Sequence, residues 1–581
     1  MFARILVANR GEIAVRVIRT AREMGIETVA VYSDADRDGL HVRLADEAFH
    51  LGPASPAASY LNVERLLEVA RQAGADAIHP GYGFLAENAA FARAAIGAGL
   101  GWIGPHPAAI DEMGDKVRAR RAMIAAGVPV VPGGDDALAD VAAARRAAEE
   151  YGLPLALKAS GGGGGKGLKV AYNAADVETA FTTAQREAQA YFKNGTIYAE
   201  RYLVDPKHVE IQILADKHGT VVHVGERDCS LQRRHQKLLE ETPAPIAAKT
   251  AAAMRAAAIK AAKAIEYDSA GTVECLVSGS EFYFLEMNTR IQVEHTVTEM
   301  ISGLDLVREQ IRVAAGERLG YEQNGIVLRG HAIEARVNAE DPASNFRPVP
   351  GTIQRYREPG GPGVRVDSAA YAGYSIPADY DSMIAKLVVW APTRPQALAR
   401  MRRALGEYDI AGVPTTIPLL AALCADERVA EGTYGTALLE PFAAKLFATA
   451  RNGAVTSSRA AAPSREGETI RVEIDDRLYH VRLVDLPPAV RASQLPAAPR
   501  MQAKKRAAGP SGNDVEAPMH GVLLELSVKE GDTIATGAVV AVIEAMKMMN
   551  EIRAHKDGVV RAVHARVGET VEAGSKLVTL E

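Results

Sequence analysis

The chain has 581 residues, 48% of them apolar and 24% charged, and 67 Lys and Arg against 72 Asp and Glu give a net charge of −5. This length exceeds the size at which one hydrophobic core stops growing, so we expect several domains. The near balance of charge argues against a protein that mainly coats nucleic acid or an anionic membrane, and three scattered cysteines and short apolar runs predict a cytoplasmic protein without disulfides or a membrane span.

Short apolar runs and amphipathic stretches alternate through the first 113 residues. Residues 5–8 are typical of a buried strand, and residues 28–32 of a second one. Between them, apolar residues from Ile13 to Ala21 share one helical face that ends near Gly25. This strand–helix–strand order predicts a parallel sheet covered by helices, and we assign residues 1–113 to an N-terminal α/β domain.

The next two regions mix both kinds of element. Between residues 114 and 330, helices rich in Ala, Arg and Glu alternate with strand pairs such as 209–214 and 220–224, which we assign to a second domain. Residues 331–446 again combine strands with helices and predict a third, α+β lobe. The first 446 residues are therefore expected to form a multidomain α/β protein.

Five glycines in a row, residues 161–165, lie between two predicted strands and are followed by Lys166. Glycine lets backbone N–H groups come close to an anion. The run is not a Walker loop, because Gly167 follows the lysine and Ser160 stands where the first glycine should be; nor does it open a helix, as the dinucleotide fingerprint does. A flexible linker is the alternative, but the flanking strands and nearby lysines favour a hairpin over nucleotide phosphates.

An acidic stretch, residues 281–295, gives the strongest indication of chemistry. In an extended strand its alternate polar residues share one face, and these are Glu286, Asn288, Arg290, Gln292 and Glu294. Glu274 is expected on the partner strand, where two carboxylates and an amide oxygen suit Mg²⁺ bound together with phosphates. Arg290 is suited to fork onto a planar anion, and Glu294 to act as a general base. A solvated edge strand is the alternative.

The composition changes after residue 446. Residues 451–465 and 486–512 are dominated by Ala, Pro, Ser, Arg and Gly, which predicts a flexible linker over residues 447–513. One island of alternating apolar and polar residues inside it, at about 470–484, predicts a single β-hairpin that is too small to be stable alone.

An internal repeat with an offset of 37 residues follows. Residues 521–526 realign with 558–563, and residues 528–544 with 565–581. Two copies of a short all-β unit bury their apolar sides by packing face to face, so residues 514–581 are predicted to form a pseudo-twofold sandwich. Lys547 lies in the link between the copies and is expected at a hairpin tip, the alternative being an ordinary surface lysine.

Two family resemblances rest on these motifs. Residues 544–550 (EAMKMMN) resemble the biotin-attachment site of biotin carboxyl carrier domains, and residues 519–521 resemble the turn that leads into such domains, with His520 where many members have proline. From residue 1 to about 445 the chain resembles biotin carboxylase. The motifs that carry this second resemblance are residues 8–13, 79–85, 226–230, 232–237 and 286–295. One departure is Thr296, which stands where the family usually has proline.

The carboxylase resemblance implies an ATP-grasp fold for residues 114–330, with a mobile lid at about 131–203. It also implies roles for individual residues. For ATP these are Lys116, Lys158, Gly163, Gly164, Lys166, Glu200, Leu203, His208, Gln232, His235, Glu274 and Glu286; for Mg²⁺ or Mn²⁺, Glu274, Glu286 and Asn288; for bicarbonate, Lys237, Arg290, Gln292 and Val293; for biotin, Tyr82 and Arg336; and for catalysis, Lys237, Arg290, Glu294 and Arg336.

The combined resemblance implies ATP- and bicarbonate-dependent carboxylation of biotin carried on Lys547. No region is left for a carboxyltransferase, so we expect a separate carboxyltransferase subunit, a biotin protein ligase, and a homo-oligomer within a larger assembly. Fused chains of this kind resemble the α subunits of acetyl- or propionyl-CoA carboxylases, while pyruvate, 2-oxoglutarate and methylcrotonyl-CoA are alternative acceptors. Another ATP-grasp ligase and a non-catalytic biotin scaffold are the competing functions.

Overall fold

The computed structural model describes residues 1–134, 137–159, 168–192, 194–234, 236–454, 469–474, 477–482, 512–518, 521–545, 548–572 and 574–581. The chain divides into two compact units, one comprising Met1–Ala443 and the other most of the remaining chain. Along the described part of the chain, no helix combines the length and the apolar character needed to cross a bilayer.

The N-terminal region is a parallel sheet with helices, as its strand–helix–strand order predicted. Its strands are β1 Arg4–Val7, β2 Glu27–Ser33, β3 Glu47–Gly52, β4 Ala77–His79 and β5 Gly101–Trp102. Its helices are α1 Gly11–Glu23, α2 Leu40–Leu44, α3 Val63–Gln72, α4 Ala89–Gly97 and α5 Pro107–Gly114. The strands pair in the parallel order β3-β2-β1-β4-β5, which places β1 in the middle of the sheet.

The loop after β4 is held by the residue that follows β1. Asn9 donates its side-chain amide to the carbonyls of Pro80 and Tyr82 at 2.7 and 2.8 Å. Gly81 has a φ of +63°, and a Cβ added there would lie 2.9 Å from Asn9 Nδ2, so this position requires glycine. The carboxyl end of the parallel sheet therefore fixes Tyr82.

The middle region and the following lobe share one sheet. The helices of these regions are α6 Lys116–Ala125, α7 Val141–Tyr151, α8 Asp176–Phe192, α9 Ala248–Ala264, α10 His295–Ser302, α11 Leu306–Ala314, α12 Arg394–Glu407, α13 Ile417–Leu423, α14 Glu427–Glu431 and α15 Leu439–Ala454. The strands are β6 Leu155–Ala159, β7 Leu168–Ala171, β8 Ile197–Arg201, β9 Lys207–Ala215, β10 Val221–Arg233, β11 Gln236–Thr242, β12 Ser269–Ser278, β13 Glu281–Asn288, β14 His331–Asn338, β15 Glu340–Asp341, β16 Arg347–Pro348, β17 Gly351–Thr352, β18 Arg355–Arg357, β19 Val364–Ser368, β20 Ser375–Ile376, β21 Met383–Ala391 and β22 Asp409–Ala411.

This large sheet has the order β13-β12-β9-β10-β11-β14-β21-β19. It crosses from the second predicted domain into the third where β11 pairs antiparallel with β14. The strands β7-β6-β8 form a separate small antiparallel sheet, against which α8 packs. Because β9, β10, β11, β12 and β14 are buried along most of their length, most polar side chains on these strands lie inside the protein.

The C-terminal region confirms the predicted all-β sandwich. Two paired strands, β23 Thr469–Ile474 and β24 Arg477–Arg482, lie within the segment where a hairpin was predicted. The sandwich strands are β25 Asp514–Glu516, β26 Gly521–Leu526, β27 Thr533–Ile534, β28 Val539–Ala545, β29 Met548–Arg553, β30 Gly558–Val563, β31 Thr570–Val571 and β32 Lys576–Leu580.

The two sandwich sheets reproduce the sequence repeat. Their orders are β25-β32-β30-β27 and β29-β28-β26-β31. A shift of 37 residues maps β26 onto β30 and β27 onto β31, so the second sheet repeats the first. The core is duplicated as well, in the buried pairs Leu523 and Val560, Val540 and Leu577, and Ile543 and Leu580.

Candidate functional site

Two carboxylates face each other on neighbouring strands of the large sheet. Glu274 on β12 and Glu286 on β13 are register partners, which confirms the pairing predicted across the intervening turn. The Asn288 side chain donates to Glu274 Oε1 at 2.9 Å. Burial and the neighbouring Glu274 carboxylate raise the pKa of Glu286. A divalent cation would relieve this repulsion, and the hard oxygen atoms of the three side chains fit Mg²⁺.

Lys237 on β11 lies at the centre of the site. Its Nζ donates to Glu294 Oε1 at 2.5 Å, to Glu210 Oε2 at 2.7 Å and to Glu274 Oε1 at 3.0 Å. Burial alone would lower the pKa of Lys237, but the acidic groups around it raise that pKa well above its usual value. Lys237 is therefore a charged cation at neutral pH, and it joins three carboxylates from three different elements.

The segment before α10 departs from the sequence prediction. Strand β13 ends at Asn288, so the prediction of one extended strand reaching Glu294 is wrong. The chain turns instead, and the ring of His295 donates Nδ1–H to the Gln292 carbonyl at 2.7 Å. A helix begins at His295, with Glu294 as its cap residue. Asn288 and its neighbours are weak strand formers, which is consistent with the strand ending there.

Glu294 nevertheless reaches the centre of the site. It is 2% exposed, and its Oε2 accepts from Arg336 Nη2 at 3.0 Å while its Oε1 accepts from Lys237. Burial alone would raise the pKa of Glu294. Lys237 and Arg336 lower this pKa by more than burial raises it, so the net shift is downward. The carboxylate is therefore ionised and able to accept a proton.

Arg227 is a buried hub that the sequence analysis missed. The side chain is 0% exposed. Through Gln292, in the turn before α10, it is connected to the Glu274 carboxylate. Its guanidinium donates to Glu210 Oε1 at 2.6 Å, Gln212 Oε1 at 2.6 Å, Gln292 Oε1 at 2.7 Å, Thr298 Oγ1 at 2.9 Å and Thr272 Oγ1 at 3.2 Å. Gln292 in turn donates to Glu274 Oε1 at 2.7 Å, so Arg227 fixes the orientation of this predicted bicarbonate residue.

Arg290 is held from the N-terminal region. Its Nε donates to Glu87 Oε2 at 2.9 Å, and its Nη2 donates to Asn288 Oδ1 at 2.8 Å. Glu87 also accepts from the Thr289 backbone N–H at 3.1 Å. The guanidinium of Arg290 therefore lies beside Asn288, one of the residues suited to hold Mg²⁺, and forms an ion pair with Glu87.

A buried lysine, Lys386 on β21, connects two predicted site residues. Its Nζ donates to the Val293 carbonyl at 3.0 Å and lies 5.9 Å from the centre of the Tyr82 ring. Its charge is balanced by Glu12, with Glu12 Oε2 at 3.1 Å. Lys386 is 0% exposed, so it supports the Val293 backbone from inside the protein.

The predicted nucleotide residues fall into separate groups. Lys158 on β6 and Glu200 on β8 form an ion pair in the small sheet. His208 Nε2 lies 3.0 Å from Glu274 Oε2, and the Gln232 side chain lies 3.3 Å from His208 Nδ1. Leu203 is buried in an apolar cluster with Val131 and Tyr283, and Lys116 is the first residue of α6. The predictions for Gly163, Gly164, Lys166, His235 and Lys547 lie outside the described residues.

Glu210 is another site residue that the sequence analysis did not single out. A signal existed, because His208, Glu210 and Gln212 alternate with apolar residues along β9. That alternation resembles a half-exposed strand, whereas β9 is central in its sheet and buried on both faces. Only the pairing with β10 and β12 distinguishes the two cases.

Family models match four segments of the chain. These are "Biotin carboxylase, N-terminal domain" over residues 1–110, "Carbamoyl-phosphate synthase L chain, ATP binding domain" over 115–322, "Biotin carboxylase C-terminal domain" over 334–441, and "Biotin-requiring enzyme" over 513–580.

Similar proteins differ in the acceptor that their names specify. The chain is 44% identical over 594 residues to a biotin-dependent acyl-coenzyme A carboxylase alpha3 subunit of Mycobacterium leprae, covering 100% of this chain and 98% of that one. It is 52% identical over 443 residues to one of the pyruvate carboxylase subunits of Methanothermobacter thermautotrophicus, covering 76% and 90%. The crystal structure of the Hydrogenobacter thermophilus 2-oxoglutarate carboxylase biotin carboxylase domain dimer, with MgADP, ADP and bicarbonate, matches with a TM-score of 0.72 and 50% identity, covering 77% and 99%.

Proposed function

The chain belongs to the biotin-dependent carboxylases and contains a biotin carboxylase together with a biotinyl domain, and from this premise we propose that it carboxylates biotin attached to its own Lys547. ATP and bicarbonate are the proposed co-substrates. The reaction is the first half-reaction of a two-step carboxylase, with the acceptor carboxylated on a separate carboxyltransferase subunit.

The observation that carries the proposal is the arrangement around Glu294. Its two carboxylate oxygens are held by two different cations, Lys237 and Arg336. An ionised carboxylate between two buried cations is suited to remove a proton from bicarbonate, because the cations stabilise the negative charge that develops on the nucleophile. Arg290 and Gln292 lie on the metal side of this centre, where they are suited to orient the same anion.

Each residue has a distinct task in the proposed reaction. Glu294 takes the bicarbonate proton, and Lys237 then holds the carboxylated phosphate that forms when bicarbonate attacks the γ-phosphoryl group of ATP. Glu274, Glu286 and Asn288 would hold Mg²⁺, which supplies positive charge that neutralises the transferring phosphoryl group. The carboxylated phosphate breaks down to CO₂ and phosphate, the phosphate takes the ureido N–H proton of biotin, and the biotin nitrogen then forms its bond to CO₂. Arg336 provides the positive charge against the biotin ring system, and Tyr82 is the second residue proposed to contact biotin.

The proposed acceptor is an acyl-CoA, with acetyl-CoA and propionyl-CoA as the first choices. Support comes from the acyl-CoA carboxylase subunit, which matches this chain over its whole length, including the biotinyl domain. The pyruvate carboxylase relative matches only the carboxylase part. Pyruvate and 2-oxoglutarate are therefore second candidates, since the carboxylase part alone resembles enzymes for both.

Purification of the full chain with its carboxyltransferase partner tests the acceptor. We expect ATP- and bicarbonate-dependent carboxylation of acetyl-CoA or propionyl-CoA by the complex, and no reaction with pyruvate or 2-oxoglutarate. Turnover of pyruvate alone would replace the acyl-CoA proposal. A chain that carries biotin but hydrolyses no ATP in the presence of bicarbonate would instead support the non-catalytic scaffold.

A further inference from the structure

Two buried glutamates lie next to Arg336: Glu240 accepts a hydrogen bond from its guanidinium, and Glu334 precedes it by two residues on β14. Glu240 on β11 and Glu334 on β14 are register partners in an antiparallel pair, so their side chains share one face with Cβ atoms about 4.5–5.5 Å apart. Both residues are 0% exposed. Neither was singled out by the sequence analysis, and neither belongs to the metal or bicarbonate groups.

Each of these glutamates has one oxygen with a donor and one without. Glu240 Oε1 accepts from Arg336 Nε at 2.6 Å, and Glu334 Oε2 accepts from the hydroxyl of Thr296. Within the described part of the chain, Glu240 Oε2 and Glu334 Oε1 have no hydrogen-bond donor. Thr296, which stands where the family usually has proline, therefore determines which oxygen of Glu334 is left over.

A single proton would satisfy both leftover oxygens. Two ionised carboxylates on adjacent buried positions repel each other and lose their hydration, which is strongly unfavourable. A hydroxyl on one carboxyl group that donates to the other removes the repulsion and pairs both atoms. The charged and titratable groups that face the pair are Arg336 on β14, Lys237 on β11, Lys386 on β21 and Glu294 at the start of α10.

The electrostatic surroundings agree with this geometry. Burial, together with Glu240, raises the pKa of Glu334 well above its usual value. Burial also raises the pKa of Glu240, but only to about 7, because Arg336 opposes the shift. Glu240 is therefore the member that ionises first, and Glu334 keeps its proton at neutral pH.

We propose that Glu240 is a positioning residue for Arg336 and that it shares one proton with Glu334. The shared proton leaves one negative charge behind Arg336. That charge holds both Nε and Nη2 of Arg336, and in this position Nη2 also reaches Glu294 Oε2 at 3.0 Å. The inference rests on the proposed function, because Arg336 matters here as the cation that faces the reacting groups.

Loss of the proton has a defined consequence. At alkaline pH the pair becomes doubly negative and draws the guanidinium of Arg336 away from Glu294 and from biotin. Turnover should then fall with rising pH. Glu334→Gln replaces the shared proton by an amide N–H that cannot dissociate, whereas Glu240→Gln removes the charge that anchors Arg336.

The test measures carboxylation of free biotin by the full-length chain between pH 6 and pH 10. We expect Glu334→Gln to lose less than about threefold in kcat at pH 7 and to shift the alkaline fall upward by at least about one pH unit. Glu240→Gln should lose at least about tenfold in kcat while the KM for ATP changes less than about twofold, since the nucleotide groups are untouched. Glu340→Gln is the matched control, because Glu340 is another buried glutamate of this lobe whose Oε1 already accepts from Ser382 at 2.6 Å and Asn338 at 3.1 Å.

Three results would overturn the proposal. These are an alkaline fall at the wild-type pH in Glu334→Gln, a tenfold loss in that variant at pH 7, and unchanged kcat in Glu240→Gln. Infrared spectroscopy provides a second readout that needs no turnover. The difference spectrum between the wild-type protein and Glu334→Gln at pH 7 should contain the carbonyl stretch of a protonated carboxylic acid, and the lack of this band in the difference spectrum contradicts the shared proton. If the wild type does not carboxylate biotin, the proposed function fails, while this spectrum still decides whether the proton is present.

Discussion

The carboxylase centre and the carrier sandwich are both built from antiparallel strands, but they bury different chemistry. The centre encloses Glu210, Arg227, Glu274 and Glu294 with exposures of 5% or less. The sandwich encloses apolar side chains such as Leu523 and its repeat partner Val560. Buried charges are stable only when every one has a partner, whereas an apolar core needs only complementary volume.

This difference explains how each part responds to substitution. Every charged residue of the centre has a unique set of partners, so removal of one leaves others buried and unpaired. The sandwich holds two copies of the same unit, and its core residues contribute to stability without touching substrate. Changes in the centre should therefore alter the reaction, and changes in the carrier core should alter folding.

The largest expected effect lies in the carrier and comes from a single lysine. Lys547→Ala should abolish streptavidin-reactive labelling of the chain, because no amine would remain at the proposed attachment position. Lys529→Ala, which removes an exposed lysine of the same domain, should label normally. Labelling that persists in Lys547→Ala would move the attachment site elsewhere.

In the centre, Glu294→Ala and Arg336→Ala should each lose at least roughly a hundredfold in biotin carboxylation, since preorganised charges of this kind typically contribute 10²–10³-fold. ATP binding, measured by calorimetry, should be retained in both variants. Arg312→Ala is a suitable control, because Arg312 pairs with Glu309 and Glu317 on and after α11, away from this centre. Near-normal turnover of either centre variant would reject the corresponding assignment.

The carrier core provides the contrasting case. Leu523 is fully buried, and Leu523→Ala should lower the free energy of unfolding of the sandwich by about 2–5 kcal/mol. Hydrogen exchange of the full-length chain should report this loss within residues 512–581, while carboxylation of free biotin stays close to wild type. Val522→Ala, at a neighbouring residue that is 37% exposed, should change stability by only about 0.5 kcal/mol. A large loss of free-biotin activity in Leu523→Ala would show that the comparison is wrong.

A buried carboxylate outside the reaction should affect stability through pH. Glu241 accepts from His331 Nε2 at 2.6 Å and from Arg394 Nε and Nη2 at 2.7 and 2.8 Å. Burial alone would raise its pKa, but these donors lower the pKa of Glu241 to about 2. Its stabilising contribution is therefore complete above the usual pKa and is lost as pH falls from about 4.5 towards 2.

Glu241→Gln should accordingly lower the free energy of unfolding at pH 7 by up to roughly 3 kcal/mol. Its stability should also depend less on pH between 4.5 and 2 than that of the wild type. Denaturant titrations at several pH values measure both quantities, with Glu281→Gln, at an exposed position, as the control. Parallel pH dependence of variant and wild type would contradict the assigned shift.

The sequence predicted the carrier more completely than the centre. The repeat with its offset of 37 residues predicts two matching sheets and matching core residues in the sandwich, because the two copies fold in the same way. The pairing of Glu274 with Glu286 was also predictable, since one short turn separates their strands. Local patterns of this kind contain all the information that these features need.

Long-range contacts explain what was not predicted. Glu210, Arg227, Glu240 and Lys386 lie on inner strands of the large sheet. These strands are enclosed through pairings between strands that are far apart in the chain, such as β9 with β12 and β14 with β21. Their polar side chains look like ordinary strand alternation until both faces of the sheet are known to be buried. The turn before α10 was missed for the opposite reason, because alternating polar residues continued past the point where β13 ends.

The most direct test of the central claim is transfer of radiolabelled bicarbonate to biotin by the purified full-length chain. We predict acid-labile label on the chain and on added free biotin that requires both ATP and Mg²⁺, with Glu294→Ala at least about a hundredfold slower. Absence of label from the wild-type chain, or incorporation at the same rate without ATP, would contradict the account.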